Sequence, residues 1–118
     1  MIGTFVEIQK GVKVGKRCRI QSHSFICEGV TLEDDVFIGH GVMFINDKNP
    51  SSANARKKSY KLLPVLIKKG ASIGSGAIIM GGVTIGRNSL IGAGSVVTKD
   101  VEDNSIAKGV PARFYKKR

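Results

Sequence analysis

Large aliphatic or aromatic residues recur along this chain at every sixth position. They stand at Ile2, Ile8, Val14, Ile20, Ile26, Leu32, Ile38 and Phe44 and, after one interruption, at Ile67, Ile73, Ile79, Ile85, Ile91 and Val97. Four places after these heads comes a small or β-branched residue: Val6, Val12, Cys18, Ser24, Val30, Val36 and Val42, then Ala71, Ala77, Val83, Ser89, Ser95 and Val101. A period of six excludes an amphipathic helix, whose apolar stripe repeats every 3.6 residues. It also excludes an ordinary β-sandwich, whose strands are irregular in length and spacing. A fixed repeat of this kind predicts stacked coils. The glycines keep the same frame: all of the 15 except Gly81 and Gly109 lie one or three places after a head, where a regular solenoid turns its corners.

This unit, an aliphatic head, a small residue, two variable positions and a second small residue, resembles the hexapeptide-repeat acyltransferases over nearly the whole chain. The resemblance implies an all-β fold, a left-handed parallel β-helix with three hexads in each triangular coil, an exception to the right-handed crossover rule. The expected layout is a single β-helix domain over residues 1–118, of about five coils, with a loop at 46–66 and a C-terminal cap at 103–118. The loop stretch is polar and basic with prolines at both ends, and excursions of that length in a compact fold are usually functional or disordered. In the family such a loop reaches across the cleft between subunits.

Composition narrows the function classes. No apolar run approaches the roughly 20 residues of a membrane span, and no leader of signal-peptide type is present, so the expectation is a soluble cytoplasmic protein with no membrane partner. Cys18 and Cys27 have no metal-binding spacing and read as free thiols. Two histidines fall short of the three that bind zinc in the hexapeptide carbonic anhydrases, and no metal is required. The net charge of +10 gathers in Arg56-Lys57-Lys58, Lys68-Lys69 and Lys116-Lys117-Arg118. With few aromatics to stack bases and no recognition motif, this field suits small polyanions such as coenzyme A or a nucleotide-linked sugar better than nucleic acid.

Reading the heads in threes puts Ile2, Ile20, Ile38, Ile73 and Ile91 in one column and Ile8, Ile26, Phe44, Ile79 and Val97 in the next, with neighbours about 4.8 Å apart. Three places after the first column stand Phe5, His23, Gly41, Gly76 and Gly94, a histidine at the top of a path paved with glycine. His40 lies one coil on and one place earlier. Two places after the second column stand Lys10, Glu28, Asn46, Gly81 and Lys99, which sets a carboxylate above an amide. An imidazole titrating near neutral pH suits proton transfer.

Three segments sharpen the resemblance: Glu28 to Phe37, Phe44-Ile45-Asn46-Asp47, and Gly92 to Val101 with Gly109-Val110-Pro111-Ala112. Together they look like the N-acetyltransferases that modify amino sugars on nucleotide carriers in surface-polysaccharide synthesis. The resemblance implies acetyl-CoA as co-substrate, a nucleotide-sugar acceptor and a homotrimer with sites between subunits. In that reading His23 is the base and Glu28 orients the histidine or the acceptor. Asn46, Asp47 and His40 bind the acceptor. Backbone around Gly76, Ala93 and Gly94 meets the pantetheine arm and supplies an oxyanion donor, Lys99, Lys108 and Arg113 meet the phosphates, and Pro111 and Ala112 meet the adenine. Two departures stand out: subfamily members carry further coils before the position of Met1, and several have asparagine in place of His23. O-acetyl transfer and a non-catalytic trimeric scaffold are the alternatives.

Overall fold

The computed structural model describes residues 1–47, 51–52 and 63–118. Within these, fifteen strands, β1 to β15 in chain order, build three sheets that form the walls of a prism. The first wall contains β3 (Arg19–Ile20), β6 (Phe37–Ile38), β9 (Ser72–Ile73), β12 (Leu90–Ile91), β14 (Ser105–Gly109) and β15 (Ala112–Lys117). The second contains β1 (Glu7–Ile8), β4 (Phe25–Ile26), β7 (Met43–Phe44), β10 (Ile78–Ile79) and β13 (Val96–Val97). The third contains β2 (Lys13–Val14), β5 (Val30–Leu32), β8 (Val65–Ile67) and β11 (Thr84–Ile85).

All pairings are parallel except β14 with β15, and each head meets the head of the next coil: Ile20 with Ile38, Ile38 with Ile73, Phe44 with Ile79, Leu32 with Ile67. The columns expected from the hexads are therefore the observed columns. The interruption does not shift them, because the chain re-enters at Val65 in register with Val30. Val65 and Leu66 thus belong to the stack rather than to the loop expected at 46–66, whose residues 48–50 and 53–62 lie outside the described residues.

The core follows directly from the period. A strand turns alternate side chains to opposite faces, so each two-residue strand points its head inward and the residue before it outward. Ile20, Ile26, Ile38, Phe44, Ile67, Ile73, Ile79, Ile85 and Ile91 have no exposed surface. The small residues fill the corners of the triangle. Where they are serines their hydroxyls are satisfied: Ser24 Oγ donates to the Gly39 carbonyl at 2.8 Å and accepts from the Val42 amide at 3.2 Å. Both cysteines are buried free thiols, and burial pushes the Cys27 thiol up from its ordinary value.

Two ends depart from the frame. In the first coil Ile2 is 58% and Val14 is 40% exposed, because no described coil stacks on that side. After Val97 the next head position is Asp103, and the chain closes with the antiparallel hairpin β14–β15, joined through a cis Val110–Pro111 peptide. There Ala107 takes the place of an aliphatic head beneath Ile91.

Candidate active site at a glycine-paved corner

The corner between the first and second walls carries the expected column. Phe5, His23, Gly41, Gly76 and Gly94 occupy it, all with positive φ, from +58° at Phe5 to +72° at Gly76. Positive φ alone does not explain the glycines. The corner between the third and first walls has the same conformation at Arg17, Asp35, Asn88 and Asn104. A Cβ added at Gly41 or Gly94 would meet nothing within 4 Å, and one at Gly76 would reach only the backbone of Gly94 at 3.9 Å. The glycines therefore leave an open strip where side chains would fit, as Gly11 and Gly82 also do at the corner between the second and third walls. It runs from His23 past three coils, roughly 14 Å at the strand spacing.

The backbone along this groove is partly committed. The amides of Gly41, Gly76 and Gly94 donate to the carbonyls of Ser22, His40 and Ser75 at 2.9, 2.8 and 2.9 Å. Coil stacking thus uses the amides of Gly76 and Gly94 themselves. The residues one place earlier turn their amides the other way, as the His40 amide donating to Ser75 Oγ at 3.1 Å demonstrates. Among the described residues the amides of Ser75 and Ala93 make no hydrogen bond, which leaves these two for a ligand.

The two histidines have different surroundings. His23 is exposed and its ring lies 5.2 Å from that of Phe5. His40 Nδ1 lies 2.9 Å from Ser22 Oγ, and His40 is exposed. Ser22 and Ser75, which hold His40, had no part in the sequence-based site. The signal was available: two places after the first-column heads the chain reads Thr4, Ser22, His40, Ser75, Ala93.

Glu28 and Asn46 fall at the next corner, on the far side of β4 from His23. No hydrogen bond joins Glu28 to His23 among the described residues, so the geometry does not make Glu28 its orienting partner. The expected carboxylate–amide pair is replaced by a side chain–backbone bond: Asn46 Nδ2 donates to the Glu28 carbonyl oxygen at 2.9 Å, while the Glu28 amide donates to Gln9 Oε1 at 2.9 Å. Asn46 and Asp47 stand at the root of the loop, and Asn46 packs against Gly81, where an added Cβ would lie 3.2 Å from Asn46 Cα and 2.7 Å from Leu63 Cβ.

Lys108 and Arg113 lie at the other end of the groove, whereas Lys99 follows β13 at the corner of Glu28 and Asn46. Lys108 lies beneath Gly92 and pairs across the hairpin with Arg113, and its ammonium sits 3.7 Å from the centre of the Tyr115 ring. Pro111 is exposed at the turn, and Ala112 is half-buried. Lys99 and Ala112 line a cavity of about 380 Å³ together with Val101, Ala107 and Phe114. Among the described residues no group of three His, Cys, Asp or Glu side chains is arranged to hold a metal ion. The Arg17–Asp35 pair, at 2.7 Å, lies at a different corner; there the guanidinium holds the Asp35 carboxyl below the usual carboxylate range.

Outside the corner, the two walls that flank it present largely apolar outer stripes. Phe25, Met43, Ile78 and Val96 are stacked neighbours on one, next to Glu7; Phe37, Leu90 and Ile106 stand on the other, with Ser72 between Phe37 and Leu90 and Arg19 next to Phe37. The third wall shows Lys13, Thr31, Leu66 and Thr84 instead.

Two family profiles match the chain: one described as hexapeptide repeat of succinyl-transferase over residues 11–43, and one described as bacterial transferase hexapeptide (six repeats) over residues 64–99. The chain belongs to the hexapeptide-repeat acyltransferase family. It is 37% identical over 112 residues to a galactoside O-acetyltransferase of Lactococcus lactis, covering 87% of this chain and 54% of that protein. It is 51% identical over 49 residues to the dTDP-3-amino-3,6-dideoxy-alpha-D-galactopyranose 3-N-acetyltransferase of Aneurinibacillus thermoaerophilus, covering 42% of this chain and 26% of that one. A solved galactoside acetyltransferase in complex with coenzyme A superposes with a TM-score of 0.82 at 32% identity, covering 99% of this chain and 61% of that chain. Superposition preserves hand, so the β-helix is left-handed, as the resemblance implies. The chain spans between 21% and 54% of the length of the curated relatives it matches.

If the groove takes the arm of coenzyme A, Gly94→Ala gives a specific outcome. The new methyl has room within the chain, and positive φ costs an alanine about 1 kcal/mol, so the protein folds. Calorimetry is expected to find coenzyme A binding weakened about tenfold or more, equivalent to about 1.4 kcal/mol. Unchanged affinity would remove the arm from this corner.

Proposed function

We propose that the protein is an acetyl-CoA-dependent N-acetyltransferase acting on an amino group of a nucleotide-linked sugar. The observation that carries this reading is the open groove at Gly41, Gly76 and Gly94, leading from the Lys108–Arg113 end up to an exposed histidine, in a chain similar to a coenzyme A-bound acetyltransferase. The amino-sugar acceptor rests on the stretch that is 51% identical to a 3-N-acetyltransferase.

Acetyl-CoA supplies an acetyl group activated as a thioester. His23, exposed at the head of the groove, accepts the proton of the attacking amine as the new C–N bond forms and the C–S bond breaks. The free amides of Ser75 and Ala93 hold the arm, and one of them faces the carbonyl oxygen on which charge develops. Lys108, Arg113 and Lys99 neutralise phosphate charge, with Pro111 and Ala112 against the adenine. Asn46, Asp47 and His40 hold acceptor hydroxyls, His40 being oriented for that by Ser22 and Ser75. Glu28, a corner away, contributes to the acceptor side through Asn46 rather than through His23.

One prism supplies one wall of this groove. The apolar stripes on the two flanking walls are suited to contacts between copies that use different faces, the kind that closes into rings. A homotrimer, as the family resemblance implies, buries them and completes the cleft.

O-acetyl transfer to a sugar hydroxyl is the second reading, favoured by the longer match to a galactoside O-acetyltransferase. A hydroxyl needs a base more than a neutral amine does, and the corner offers two imidazoles.

Substituting His23→Ala is expected to lower kcat for acetyl transfer by roughly 100-fold. Retained activity would end its role as base. Light scattering at assay concentrations is expected to find three copies; a monomer with full activity would contradict a site shared between subunits.

A further inference from the structure

Ser22 and His40 hold the same place on adjacent coils, two residues after Ile20 and Ile38, whose strands β3 and β6 pair in register. At the corner between the third and first walls, residues in that place only fasten one coil to the next: Asp34 and Asp103 accept from the amides of Lys16 and Arg87 at 2.8 and 2.7 Å. His40 does something else. Its Nδ1 lies 2.9 Å from the Ser22 hydroxyl, and the Ser22 amide makes no hydrogen bond among the described residues. The hydroxyls of Ser24, Ser89, Ser95 and Ser105 are all bonded to backbone groups of the stack. The Ser22 hydroxyl has the imidazole as its one partner among the described residues, and a hydroxyl within reach of a base is the signature of an activated nucleophile. The His40 amide donates to Ser75 Oγ at 3.1 Å, which fixes the backbone from which the imidazole reaches Ser22.

This dyad borders the strip proposed for the acetyl donor: Ser22 precedes His23, and His40 precedes Gly41. We propose that Ser22 and His40 form a second reactive centre, which passes the acetyl group of acetyl-CoA to water through an acetyl-serine. With the His40 proton on Nε2, Nδ1 accepts the hydroxyl proton as Ser22 Oγ bonds the thioester carbonyl carbon. The free Ser22 amide is a donor for the oxygen on which charge develops. The C–S bond then breaks, and Nδ1 returns the proton to the departing thiolate. Water attacks the acetyl-serine and gives its proton through Nδ1 to Ser22 Oγ, as the C–O bond to the serine breaks and acetic acid leaves. The sum is acetyl-CoA and water to acetic acid and coenzyme A, with nothing oxidised or reduced. No carboxylate bonds His40 among the described residues, so the imidazole is a weaker base than in a full triad and the hydrolysis is expected to be slow. Use of acetyl-CoA here rests on the coenzyme A reading above; the dyad itself does not.

Two substrates test it, each without any acceptor. p-Nitrophenyl acetate needs no coenzyme A site and reports on the dyad alone, whereas acetyl-CoA reports on the dyad and the groove together. Wild type is expected to release nitrophenolate in a burst of about one per chain, because an activated ester acylates a serine faster than the acyl-serine hydrolyses. It is also expected to release coenzyme A thiol steadily. Mass spectrometry of the acid-quenched protein is expected to place the acetyl group on Ser22. Ser22→Ala and His40→Asn, the second of which keeps a hydrogen bond but cannot take the proton, are expected to lower both rates about 100-fold. Circular dichroism checks that they fold, and the mapping on wild type stands without them. An acetyl group found elsewhere and not on Ser22 overturns the dyad, as does hydrolysis that either variant retains. So does a wild type that hydrolyses p-nitrophenyl acetate no faster than buffer. If that ester acetylates Ser22 while acetyl-CoA is neither bound nor hydrolysed, the dyad stands and the coenzyme A reading fails. If coenzyme A binds and the ester leaves Ser22 unmodified, the dyad fails and that reading stands.

Discussion

The structure depends on one constraint: each coil must lie in register on the next, so that its strands exchange backbone hydrogen bonds with strands about 4.8 Å away. Gly39, Gly74 and Gly92 mark this stacking, their amides donating to the carbonyls of Ile73, Ile91 and Ala107 at 2.8 to 2.9 Å. A slip of one residue would turn every head outward. Register therefore fixes which side chains share a column, and a column is also a line on the surface. Hydrogen bonding that builds the fold thereby arranges the site.

At the corners the same constraint imposes positive φ. One corner meets it largely with polar residues, where Arg17 and Asp35 gain an ion pair, and another meets it with Gly11, Gly29 and Gly82. At the proposed site the chain leaves three coils bare and ends them with an imidazole and a phenyl ring. Stacking uses the amides of Gly76 and Gly94, whereas those of Ser75 and Ala93 make no hydrogen bond among the described residues.

Much of this was legible in the sequence because a strict period converts position into place. The pairing of Phe44 with Ile79 across the interruption, and the alignment of His23 with three glycines, both follow from taking the heads in threes, with Ile67 as the next head after Phe44. Side-chain partners do not, because rotamers are not periodic. Asn46 thus bonds the Glu28 carbonyl rather than its carboxylate, and Ser22 rather than any acid holds His40. The hairpin was hidden for another reason. After Val97 the period fails, and Ala107 takes a head position that no count of six reaches.

A crystal structure of the protein with coenzyme A tests the central claim most directly. The arm is predicted to lie in van der Waals contact with Gly41, Gly76 and Gly94, with its thiol end towards His23 and its phosphates at Lys108 and Arg113. Coenzyme A bound along another corner, with this one left to solvent, would contradict the account.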